Sequence, residues 1–166
     1  MHIYKNTEEG NILNEDLTGV VTEASEVSHM FKELTTLCKV SNGLGVAANQ
    51  LGIRANFFFA AVGAKFEGKT TGHICINPSW KPHPAAEQVD IFGEGCLSLP
   101  GELYAVKRWT SVLATWTNTQ GHVRKDVKLT RTAAQVFQHE HDHLRGITLR
   151  ESGQRLQISP EEAFSK

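Results

Sequence analysis

Residues 138–144 read Gln138-His139-Glu140-His141-Asp142-His143-Leu144, and this run dictates more about the chain than any other. On a helix turning about 100° per residue, His139 and His143 stand roughly 40° apart and one turn along the axis, so both imidazoles reach a single ion. Glu140 lies next to that face. A carboxylate there accepts a proton from water without itself binding the ion, which is the arrangement of hydrolytic His-Glu-x-x-His sites. Taken as five residues only, the pattern also fits a polar helix face with solvated histidines. His141 falls about 200° from His139 and faces away, as a surface or supporting residue. Asp142 lies off the stripe too, and either orients a ligand imidazole or pairs with a base such as Arg145.

The rest of the chain must supply a frame for this helix. Its 166 residues match one domain, residues 1–166, with a real core. A hydrophobic content of 40% with 21% charged residues excludes general disorder. Basic and acidic side chains number 17 and 18, a net charge of −1, so nothing draws the chain to phosphate backbones or anionic membranes. Direct nucleic-acid binding is not expected. The first eleven residues lack the apolar stretch of a signal peptide, and no run approaches the roughly 18 apolar residues of a membrane span. The expected location is the cytoplasm.

Thr22 is placed to cap an amphipathic helix over about 23–40, with Val27, Met30, Phe31, Leu34, Leu37 and Cys38 at three-and-four spacing, stopping at Ser41-Asn42-Gly43. Asn56 to Val62 and Ile74 to Ile76 read as buried strands, the second broken off by Asn77-Pro78 and then Pro82 and Pro84. Val112, Ala114 and Trp116 alternate, a turn follows at Asn118 to Gly121, and Val123, Val127 and Leu129 complete a hairpin. Thr130 or Thr132 caps a second helix carrying Ala133, Ala134, Val136 and Phe137, which runs to about Leu144 and ends at Gly146. The expected class is α+β.

A catalytic ion held by two histidines needs a third protein ligand. The chain has three cysteines, an odd count that argues against a disulfide framework and for a reducing compartment. Cys38 falls on the apolar stripe of the first helix and Cys75 inside a strand, where a cysteine serves as a small hydrophobe. Cys96 lies instead in Gly93-Glu94-Gly95-Cys96-Leu97-Ser98-Leu99-Pro100-Gly101, among glycines that let backbone approach a ligand. It is the candidate third ligand. A further segment, Gly43-Leu44-Gly45-Val46-Ala47-Ala48-Asn49-Gln50, has two glycines a residue apart, as suits an extended stretch that another backbone approaches. Lacking the Lys-Ser or Lys-Thr of a phosphate loop and the third glycine of a dinucleotide fold, it does not point to nucleotides.

In this order, the Gly43-to-Gln50 segment, Glu94-Gly95-Cys96-Leu97-Ser98 and the Gln138-to-Leu144 segment resemble the three signature motifs of the peptide deformylases. The resemblance runs from about Glu23 to about Arg150 and includes Arg108, similar to the family's strand arginine and grouped here with the substrate-binding residues. It implies antiparallel β-sheets surrounding a central metal-bearing helix. It implies a hydrolase that removes the N-formyl group from formyl-methionine at the start of nascent polypeptides, releasing formate. Carried over by position, Cys96, His139 and His143 would hold one divalent ion, Glu140 would be the acid–base, and Gln50 with the Leu97 backbone N–H the oxyanion donors. The implied metal is ferrous iron, and zinc, nickel or cobalt would also suit a Cys-His-His site. A thiolate on iron implies sensitivity to oxidants.

Three departures from the family pattern stand out. Before His139 the ligand stripe continues through Val136, Gln135 and Thr132, a more polar face than the family's methionine-pocket wall, with Leu44 and Phe92 left to supply apolar surface. Only twenty residues follow Gly146, ending in a capped turn at Ser159-Pro160-Glu161-Glu162, so a ribosome contact would have to do without the long basic C-terminal helix of many bacterial members. The first residues lack the family's proline-containing segment, and the chain resembles compact phage-encoded or organelle-like versions. A monomer is expected. The substrate backbone should add as a strand between Leu44-Gly45 and Gly95, its first side chain pointing at Val136. A metallopeptidase would share His-Glu-x-x-His but leave the Cys96 and Gln50 segments without a purpose, and a metal-stabilised binding module would have no use for Glu140 and Gln50.

Overall fold

The computed structural model describes residues 3–4, 12–60, 65–66, 69–70 and 72–158, with backbone alone for 65–66, 69–70 and Phe92. Its larger sheet has five antiparallel strands in the order β1 (Gly45–Ala47), β2 (Phe57–Ala60), β5 (His73–Pro82), β8 (Ser111–Thr117), β9 (Val123–Thr130). A three-stranded sheet has the order β10 (Gly153–Arg155), β7 (Leu99–Trp109), β6 (Gln88–Cys96), and β3 (Lys65–Phe66) pairs with β4 (Lys69–Thr70). The helix α3 (Arg131–Leu144) packs on β1 and β2 of the larger sheet and on β7 of the smaller one. The architecture is therefore α+β, with antiparallel sheets around the helix that carries the histidines. Phe137 fixes its inner face, meeting Phe58 edge-on with ring centroids 4.9 Å apart inside a core that includes Leu34, Val46, Ile74, Ile76 and Leu144.

The first helix is not continuous. It consists of α1 (Ala24–Val27), a 3-10 turn at Ser28–Met30 and α2 (Phe31–Val40). Glu23, not Thr22, stands at its start, with the Glu26 carboxylate accepting from the Glu23 N–H at 2.7 Å. The Thr22 hydroxyl is spent elsewhere, accepting from the buried Asn56 N–H at 2.8 Å, because an unpaired buried amide costs more than an uncapped exposed helix end. Phe31, expected on the buried stripe, is 42% exposed, whereas Leu34 and Cys38 are buried. The helix stops as expected at residues 41–43, where Asn42 adopts a left-handed φ of 53°.

Strand β5 does not end at Asn77-Pro78 but runs through it to Pro82. The register slips between Ile76 and Ser79, with Asn77 at φ 47°, and a proline at a bulge forfeits no ladder hydrogen bond. Asn77 is held there by hydrogen bonds between its side chain and the Thr22 backbone, at 3.0 and 2.9 Å. The hairpin of β8 and β9 forms as read from the alternation, pairing Ser111 with Thr130 and Thr117 with Val123. The long β6–β7 hairpin was hidden in the sequence by Gly93, Gly95, Pro100 and Gly101. Thr130 occupies the N-cap position of α3 without a side-chain cap bond, and Gly146 ends the turn after it at φ 71°. The turn expected at Ser159–Glu162 lies outside the described residues. Among those residues, no helix is long and apolar enough to cross a membrane.

Candidate metal centre

Cys96 is the last residue of β6 and pairs with Leu99 across the two-residue turn Leu97-Ser98. Behind it the register slips twice, between Ile91 and Glu94 and between Glu94 and Cys96. Such bulges re-aim side chains, and here they turn Glu94 and Cys96 onto α3 and carry Gly101, Glu102 and Leu103 out as one wall of a cavity. Gly93 and Gly101, at φ 78° and 75°, make the left-handed steps these slips require.

From the other side, α3 brings His139 and His143 to the thiol. Cys96 Sγ lies 3.2 Å from His143 Nε2, and one donor atom from each of Cys96, His139 and His143 lies within 4.8 Å of the others. His139 points Nδ1 at Glu94 Oε2, 3.3 Å away, which leaves Nε2 for the centre. Burial would raise the Cys96 pKa, but His143 and His139 hold it well below the usual thiol value. Burial likewise opposes charge on His139, yet its hydrogen bonds to Cys96 and Glu94 keep its pKa well above that of free imidazole. Cys38 is pushed up to about 12 by burial and Cys75 is raised as well, so neither resembles Cys96. A half-buried thiolate with two close imidazoles suits one divalent ion. Beside them, Glu140 is buried with Oε2 unpartnered, and burial lifts its pKa to about 7, in the range where a carboxyl both takes and returns protons near neutrality.

A buried ionic network braces this group. Arg108 donates to Glu94 through Nη2 at 2.7 Å and Nε at 3.3 Å, and to Asp142 Oδ2 through Nη1 at 2.5 Å. Burial would raise the Glu94 pKa, but donors on His139 and Arg108 bring it down to about 2. Arg108, expected among the substrate-binding residues, is not in the cavity wall: it lies beneath it, 4% exposed. Asp142 does not touch a ligand imidazole or pair with Arg145; it takes the third nitrogen of Arg108. Glu94, to which no role was given, is the group that orients His139. Its presence two residues before Cys96 was the available signal. His141 faces away from the centre as expected, packed edge-on against Trp80 with centroids 6.3 Å apart.

The cavity above the centre encloses about 430 Å³. Leu44, Gly45, Gly95 and Val136, expected at the substrate, and Leu97, expected as an oxyanion donor, line it, together with Leu103, Glu102 and Gln135. The Phe92 side chain lies outside the described residues. Gln50 sits in the 3-10 turn Ala48–Leu51. Its Oε1 accepts from the Ala47 N–H at 2.9 Å, while Nε2 donates to Ser98 Oγ at 3.0 Å and lies 3.5 Å from Cys96 Sγ. Fixing the amide oxygen in this way points the nitrogen at the thiolate. The neighbouring Asn49, missed in the sequence, donates to the His143 carbonyl at 2.5 Å and ties the same turn to α3.

The model of the family described as polypeptide deformylase matches residues 2–157. A peptide deformylase of Aquifex aeolicus is 34% identical over 125 residues, which cover 74% of this chain and 70% of that protein. Peptide deformylase 1B of Arabidopsis thaliana, chloroplastic/mitochondrial, is 33% identical over 138 residues, 82% of this chain but only 45% of the plant protein. Among solved structures, a probable peptide deformylase from Synechococcus phage S-SSM7 superposes with a TM-score of 0.77 at 28% identity, covering 92% of this chain and 99% of that one. The Thermotoga maritima enzyme gives 0.75 at 26%, covering 93% and 99%. All three sequence segments that build the centre fall inside the matched span, and the chain belongs to the polypeptide deformylase family.

Proposed function

We propose that this protein hydrolyses the N-formyl amide of formyl-methionyl peptides, releasing formate and a free amino terminus. One observation supports the reading above the rest: a buried carboxyl, Glu140, stands beside a Cys-His-His donor set at the floor of a cavity open to a peptide. Cys96, His139 and His143 would hold the ion, which when bound supplies Lewis acidity to a water and to the formyl oxygen. Ferrous iron is the proposed metal, with zinc, nickel or cobalt as substitutes. Glu140, which lines the cavity beside the donor set, takes a proton from the attacking water and returns it to the departing nitrogen. Gln50 Nε2 donates one N–H to Ser98 Oγ at 3.0 Å and the other, more weakly, to Cys96 Sγ at 3.5 Å; the second of these N–H groups is the one that would turn to an oxygen arriving beside the thiolate. The Leu97 backbone N–H is its proposed partner in stabilising the developing oxyanion. The proposed setting is the cytoplasm, with nascent chains as substrate.

Formate release from formyl-Met-Ala-Ser by iron-loaded protein, set against cleavage of unformylated Met-Ala-Ser, decides the matter. Formate with an intact tripeptide is the expected result. Cleavage of the unformylated peptide would mean a peptidase.

A further inference from the structure

On the α3 side the cavity is walled by Gln135, Val136, His139 and Glu140. The last two face the reacting bond. Gln135 stands one turn nearer the helix start, about 6 Å along the axis from His139 at 1.5 Å per residue. That is about the reach of an unbranched side chain such as methionine or glutamine when its backbone is held at the centre.

The Gln135 amide is not free to turn. Nε2 donates to Glu94 Oε1 at 3.1 Å, and Glu94, paired with Arg108 at 2.7 Å, offers acceptors only. One N–H of that nitrogen is therefore committed to the network below the cavity, and the amide keeps its oxygen and a second N–H for an occupant, a pair that a primary amide side chain answers at both ends. An apolar side chain laid against that oxygen strips it of water and returns nothing. A side chain ending in an N–H group pairs with it.

We propose that Gln135 determines specificity here, its amide oxygen accepting a hydrogen bond from the end of the first side chain, so that the site takes a formylated glutamine about as readily as a formylated methionine. The inference rests on the deformylase reading above. Because Gln135 also braces Glu94, and through it His139, a replacement that loosens the network slows every substrate by a common factor. The ratio between two substrates cancels that factor.

The test compares kcat/KM for formyl-Gln-Ala-Ser, formyl-Met-Ala-Ser and formyl-norleucine-Ala-Ser in the parent, Gln135→Met and Gln135→Leu, the second variant serving should the first misfold. In the parent, the glutamine and methionine peptides should lie within about tenfold, and in each folded variant the methionine-to-glutamine ratio should rise at least tenfold, in keeping with the cost of leaving a polar group unpaired. An unchanged ratio, or a parent that rejects glutamine more than a hundredfold, overturns the role of Gln135 while leaving the deformylase reading intact. No formate from any formylated peptide overturns both.

Discussion

Gly45 and Glu140 share one space: a Cβ built on Gly45 would lie 2.4 Å from Oε1 of Glu140 and 2.7 Å from its Cδ. The glycine was expected to make room for a substrate backbone. It first makes room for the acid–base.

Gly45→Ala should therefore displace Glu140 without touching the donor set. Metal content should stay at one ion per chain while kcat for formyl-Met-Ala-Ser falls by about 10²–10⁴, the range attributed to a positioned general base. Full activity in this variant would show that the carboxyl works from some other position.

Glu140→Ala should give the same pairing of normal metal content with lost turnover, since the side chain acts on water and not on the ion. Gln50→Leu should cost roughly 10²–10³ in kcat, as for one donor of an oxyanion site, with KM little changed. A larger effect on KM would make Gln50 a binding group.

Cys96→Ala removes the only one of the three cysteines that stands at the centre. Metal content should drop while far-ultraviolet circular dichroism stays near that of the parent, because core clusters away from the turn build the fold. Unchanged metal affinity would remove Cys96 from the ligand set.

Glu94 ties stability to pH. Its folded pKa, about 2, lies below the ordinary 4.5, so its contribution is complete above about 4.5 and is lost as the pH falls toward 2. At about 1.4 kcal/mol per unit the difference amounts to roughly 3 kcal/mol. Urea midpoints at pH 6 and pH 3 should show the loss, and Arg108→Leu, which strands Glu94 and Asp142 as buried charges, should lower stability at pH 7 by about 3–5 kcal/mol. A pH-independent midpoint would mean that Glu94 keeps its partners after unfolding.

Gly146→Ala should lower stability by at least about 1–2 kcal/mol, since its left-handed φ of 71° disfavours a side chain and a Cβ there would lie 2.6 Å from the Asn14 carbonyl oxygen. Thermal unfolding of the two proteins checks this.

What could be read in advance was whatever local geometry determines. Helical periodicity alone places His139 and His143 together, and glycines around Cys96 mark a backbone made for close approach. The bracing network could not be read this way. Arg108 stands in register with Val89 and not with Glu94; the contact depends on two bulges and on the reach of a guanidinium, neither of which leaves a period in the sequence. The strand through Asn77-Pro78 was lost for a similar reason, since half-buried side-chain bonds to the Thr22 backbone stabilise a bulge where the dipeptide alone signals a stop.

Gln50 joins the Ala47 N–H to Ser98 Oγ, a tie made wholly of uncharged groups, whereas the α3 side of the cavity is tied through Glu94, Arg108 and Asp142. The two ties answer to different conditions. Acid acts on the charged one, through Glu94, and leaves the amide one in place, so lowering the pH should loosen the two sides of the cavity in a fixed order. The helix wall should slacken first, while Gln50 still joins the 3-10 turn to the tip of the β6–β7 hairpin.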